Sequence, residues 1–104
     1  MANHHRGDVD LILPGGALTL RLTLGALAEI EAAFGVADLA ALGQRLEAGR
    51  LSARDLIPIL GAAARGAGHG LSDAEFAARV GAADLPACIA ALGRLFSLTF
   101  GEAP

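Results

Sequence analysis

From Asp8 to Thr23 the chain alternates apolar and polar positions. Val9, Leu11 and Leu13 are spaced by Asp8, Asp10 and Ile12, and leucines at 18, 20 and 22 are spaced by Thr19, Arg21 and Thr23. A period of two marks strands, and the Pro-Gly-Gly run at 14–16 supplies turn chemistry between them, so residues 8–23 predict a β-hairpin. At Leu24 the period changes without an intervening turn. Leu27, Ile30 and Phe34 fall three or four apart, as on one face of a helix, with Thr23 placed as N-cap and Gly35 as the residue that ends it. A strand therefore runs directly into a helix. A lone hairpin is marginal in water, so its leucine face must rest on helices or on another chain.

The rest of the chain reads as helical. Asp38 is placed to cap a second helix with Leu39, Leu42 and Leu46 on one face and Gly49 closing it; Gly43 inside weakens it. "LSARDL" (51–56) and "LSDAEF" (71–76) share one form: a serine, an acid three residues later, an apolar residue before the serine and another at the fourth helical position. Each is a capping box with a hydrophobic staple, which puts helix starts at Ser52 and Ser72. Pro58 removes a donor within the first of these helices and predicts a kink or a tightened first turn. "RGAGHG" (65–70) reads as a flexible glycine joint, and the helix after Ser72 ends near Gly81. A last helix starts around Asp84 with Pro86 in its first turn. Its stripe of Leu85, Ile89, Leu92, Phe96 and Phe100 is widened by Leu95 and Leu98, with Arg94 its only charge before Glu102. The pattern predicts an α+β fold, mostly α: an N-terminal β-hairpin followed by about five short helices, in a single domain over residues 1–104.

Composition narrows the function classes. Of the 54 % hydrophobic residues, 24 are alanines, so the useful core must come from Leu, Ile, Val and Phe. With no Trp or Tyr and four Phe, platforms for stacking bases or sugars are missing. Eight arginines and no lysine are scattered through a chain of net charge −3, and no basic stripe forms, which argues against nucleic-acid binding. Cys88, the one cysteine, lies among Ala87, Ile89 and Ala90; it is expected as a buried thiol in a reduced, cytoplasmic setting. The polar start "MANHHRGDVD" is unlike a secretory signal, and Arg94 interrupts the best apolar run, so neither export nor a membrane is expected.

Candidate chemistry is sparse. His4 and His5, near Asp8 and Asp10, would make a metal site imaginable, but adjacent histidines point differently and no helical spacing orients them, so a solvated tail is expected; His69 sits alone among glycines. "GAAARGAGHG" lacks the lysine and Ser/Thr of a phosphate loop, Glu29 and Glu31 face different ways, and no serine has a His/Asp constellation. The expectation is a non-enzyme with no metal and no cofactor, hence an interaction module. The candidate contact residues are Ile89, Leu92, Leu95, Phe96 and Phe100, with the hairpin leucines second. The same residues would serve self-association, and in so small a domain they also suffice for its own core; composition puts self-packing ahead of partner-binding.

"HRGDVDL", "LTLRLTLGALAEIEAAFGV", "RLEAGRLSARDL" and "GAAARGAGHGLSDAE" together resemble the small tail-assembly protein of gene transfer agents, a family related to the tail-assembly chaperones of long-tailed phages. The resemblance runs in order from about Asn3 to Glu75 and more loosely to Phe96. It departs at Pro58, where an ordinary helix former is expected, and after Phe96. It implies a non-catalytic adaptor that binds the tape-measure protein and the major tail (tube) protein during tail morphogenesis. The family has also carried the label of tail-tube protein, which implies the alternative of a structural component kept in the particle. A small DNA-binding regulator is the remote third reading, and the scattered arginines oppose it.

Overall fold

The computed structural model describes residues 7–34, 39–49 and 51–100, and of residues 39, 40, 46, 47 and 100 the backbone alone. Strands β1 (Val9–Leu13) and β2 (Gly16–Leu20) pair antiparallel, with Val9 opposite Leu20 and Leu11 opposite Leu18. Pro14 and Gly15 make the connection, and Gly16 leaves it at φ 131°, a backbone conformation that a side chain would strain. The alternation works as read: Val9, Leu11, Leu13, Leu18 and Leu20 are all buried, while Ile12 on the other face is 65 % exposed.

The second strand stops at Leu20, three residues before the alternation does. At Arg21 the main-chain N–H turns away from the hairpin and donates to the carbonyl of Ala63 at 2.9 Å. Thr23 is then the cap it was read to be, its Oγ1 accepting from the N–H of Ala26 at 3.0 Å. Five α-helices follow among the described residues: α1 (Leu24–Phe34), α2 (Leu39–Glu47), α3 (Ala53–Gly66), α4 (Asp73–Arg79) and α5 (Leu85–Phe100), with a 3-10 turn at Ala82–Asp84 before the last. The fold is α+β and mostly α. Asp38 and Gly35, read as a cap and a stop, lie outside the described residues, as do the side chains of Leu39 and Leu46; Leu42 is buried.

Helix α3 is the element on which the others pack. β2, α1, α4 and α5 all lie against it, and Ile59, Leu60, Ala62, Ala63 and Ala64 are fully buried. Its small residues permit close approach. A Cβ placed on Gly66 would collide with the carbonyl oxygen of Arg21, and one on Gly61 with the carboxylate of Asp73. The helix runs unbroken through Pro58; the donor that proline lacks would have served Arg54, in the exposed first turn. The segment read as a glycine joint is half helix and half a hydrogen-bonded stop. Arg65 and Gly66 belong to α3, and then Gly68 N–H donates to the Arg65 carbonyl and His69 N–H to the Ala64 carbonyl, both at 3.0 Å, with Gly68 at φ 100°. That is a Schellman closure.

One charge is fully buried with the hairpin. Asp8 is 1 % exposed and takes both edges of the Arg21 guanidinium, Nε to Oδ1 at 2.6 Å and Nη2 to Oδ2 at 3.0 Å. A buried carboxylate is costly unless paired, and the two-point contact supplies the pair. From the other end of the chain, α5 lays Cys88, Ala91, Leu92, Leu95 and Phe96 into the same apolar cluster as the hairpin leucines. Gly43 of α2 lies against the Phe96 ring, where a Cβ would stand 3.5 Å away. The stretch Ala82–Thr99 is long and apolar enough to cross a membrane by length and composition, yet one side of it is packed into this core.

The two glycines of α3 make the packing testable. Alanine is the better helix former by about 1 kcal/mol, but at Gly66 it meets main chain that cannot move aside. Gly66→Ala is expected to destabilise by roughly 2–3 kcal/mol in urea unfolding. Gly61→Ala, whose neighbour is the Asp73 side chain and not main chain, can be accommodated by shifting that carboxylate from Arg65 and should cost less than half of that.

A candidate apolar binding groove

The walls of the groove are set by the two capping boxes. At the start of α4, Ser72 Oγ accepts from Glu75 N–H at 3.1 Å and Glu75 Oε1 accepts from Ser72 N–H at 2.9 Å. At the start of α3, Asp55 Oδ2 accepts from Ser52 N–H at 3.0 Å and from its hydroxyl at 3.2 Å. The serine backbone N–H is the main reason that both carboxyls are held below their ordinary range. The staple residues are placed as expected, with Leu51 and Leu71 half-buried against the apolar cluster that contains Leu56 and Phe76.

Arg65, on the last turn of α3, ties three elements together. Its Nη2 lies 2.8 Å from Glu29 Oε1 on α1, and its Nη1 donates to the Leu71 carbonyl at 2.8 Å and pairs with Asp73 Oδ1 at 3.0 Å. Glu29, which showed no acid–base partner in the sequence, is thus a structural anion. On the other side Arg45 joins α2 to α3 through Asp55 at 3.2 Å and stands 6.0 Å from the centre of the Phe34 ring.

Between these walls lies an apolar cavity of about 210 Å³. Leu56, Ile57 and Leu60 of α3 form its floor, Phe76 of α4 and Val80 just after it one side, and Leu85 and Cys88 of α5 the other. Burial, and secondarily the carboxylate of Asp84, pushes the Cys88 thiol up, so it stays protonated and is a poor nucleophile. Such a space accommodates one or two apolar side chains of a partner. Among the described residues no three His, Cys, Asp or Glu come together in a way that would hold a metal. His4 and His5 lie outside the described residues, and His69 Nε2 is buried with no hydrogen-bond partner among them.

The contact surface read from the sequence is largely core. Leu92 and Leu95 are 0 % exposed and Phe96 is 9 % exposed, packed within the domain itself. Of that set Ile89 reaches solvent, at 43 %, and the side chain of Phe100 lies outside the described residues. The hairpin leucines, the second choice, are buried too. The reason is what covers the helix: Leu85, Ile89, Leu92 and Phe96 share one side of α5, but Leu92 and Phe96 are enclosed in the core while Leu85 and Ile89 remain half-exposed. Ile57, Phe76 and Val80 of the groove were not singled out as contacts. The staple had marked Phe76 as an anchoring position, which was the available signal.

A family model described as "Phage tail tube protein, GTA-gp10" matches residues 6–102. No curated protein and no solved structure matches the chain.

Substitutions on α5 separate core from surface. Leu92→Asp buries a charge without a partner and is expected to abolish cooperative folding, whereas Ile89→Asp should leave the thermal midpoint within a few degrees of the parent; circular dichroism melts of both check this.

Proposed function

The chain belongs to the gene-transfer-agent phage tail tube family, and on that premise we propose that this tail protein works as a non-catalytic assembly adaptor in the cytoplasm. In this reading it engages the tape-measure protein and the major tail tube protein during tail morphogenesis and then leaves. The observation that carries the reading is the extent of the sheet. The described residues hold one two-stranded hairpin, whose apolar face is already covered by the domain's own helices. A subunit that closes a ring of sheet must extend pairing on both sides with more strands than this.

The groove suits the adaptor role. A tape-measure protein presents long amphipathic helices that need apolar cover until tube subunits enclose them, and helix-in-groove binding is the ordinary way to provide it. The apolar space between α3, α4 and α5, with half-exposed Leu85 at its mouth, offers such cover. The second reading, a component kept in the tube or at its end, is favoured by the family description itself.

Co-expression tests the adaptor reading. The tape-measure protein is expected to be soluble and to co-purify with the parent chain, and to be lost to the pellet with a Val80→Asp/Leu85→Asp variant whose own fold is intact. A tape-measure protein equally soluble without this chain would contradict it.

A further inference from the structure

We propose that α4 is a latched flap over the groove, hinged at both of its ends, whose opening uncovers Leu56, Leu60 and Cys88. Seven residues are too few for a helix to hold itself together in water, so α4 depends on what it packs against. It packs against α3, and it faces α5 across the cavity. Phe76 is its one buried side chain, while Ala74, Glu75, Ala78 and Arg79 are exposed.

Both ends are built to swing. On one side, past the hydrogen-bonded stop of α3 at Gly68 and His69, the chain passes exposed Gly70 before the Ser72 cap. On the other, Val80 drops out of helical geometry at φ −115° and ψ 122°, followed by exposed Gly81. The capping box lies wholly within the flap, between Ser72 and Glu75, so it keeps α4 helical while the helix moves as a unit.

The latch is Arg65. Anchored to α1 through Glu29, it holds the incoming loop by the Leu71 carbonyl and the first residue of α4 by Asp73. Gly61 leaves the space into which the Asp73 carboxylate fits. The Asp73 side chain as a whole is 46 % exposed, but the Oδ1 that meets Arg65 is itself buried and has no hydrogen-bond partner of its own, so the fastening rests on one ion pair at the edge of the domain. Local opening of weakly packed units, at a free energy below that of global unfolding, is a general property of folded chains. Here the segment, its two hinges and its fastening coincide over a cavity. The inference stands whether or not the tape-measure reading holds.

Cys88 reports on the flap from the opposite wall. In the intact protein, alkylation of this thiol is measured across a range of urea concentrations, for the parent and for Asp73→Asn, Arg65→Gln and Asp8→Asn. At low urea the flap predicts a labelling rate nearly independent of denaturant, raised roughly fivefold by Asp73→Asn and at least as much by Arg65→Gln. Asp8→Asn, which weakens the hairpin instead, should leave that rate unchanged and shift only the steep phase at higher urea. The proposal is overturned if labelling follows the slope of global unfolding at every urea concentration. It is equally overturned if all three variants speed labelling only in proportion to their loss of global stability.

Discussion

The main chain at Arg21 lies against α3 where Gly66 has no side chain, and the rest of the molecule is arranged by that contact. The Arg21 N–H gives its hydrogen bond to Ala63 of α3, which is why β2 ends there and only residues 21–23 separate it from α1. Its guanidinium turns back to Asp8, so the residue before β1 and the residue after β2 are clamped together beside the same helix. A hairpin that would be marginal alone acquires two fixed points and a covered leucine face. The alanines at 62–64 serve the same end: small side chains let β2 lie close to α3, where Leu18 and Leu20 are fully enclosed.

With its second half committed to the hairpin, α3 has its first half left for the groove. Leu56, Ile57 and Leu60 precede the alanine run and form the floor between α4 and α5. Arg65 spans the two regions, fastening α1 on one side and the approach to α4 on the other. The molecule therefore divides its work along one helix, with tight, glycine-dependent packing at the C-terminal end and a looser apolar space at the N-terminal end. Adaptability is found where packing is incomplete, over the first half of α3 where the groove lies, while the flap beside it is fastened at the other end of the same helix.

Much of this was legible in the chain. The hairpin, the Thr23 cap and both serine boxes follow from local rules, since the interacting atoms lie within a few residues of each other. What local rules could not supply was the partner of each face. Gly66 read as part of a flexible joint over 65–70 and Ala62–Ala64 were not singled out as core, because small residues carry little hydrophobic signal, although their smallness is what the packing uses. Leu92 and Ile89 belong to one stripe in the sequence, yet one is core and the other reaches solvent; which way α5 is rolled depends on the hairpin some seventy residues earlier. The Asp8–Arg21 pair was hidden for the same reason, since alternation placed both residues on the polar side of their strands.

Among the described residues of this tail protein the sheet is one hairpin, already buried against the domain's own helices, and that is what supports the proposed transient role. Quantitative mass spectrometry of purified particles tests that account most directly. The account predicts that this chain is absent, or present far below the copy number of the major tube subunit. A copy number matching one or more complete rings of the tube would contradict it.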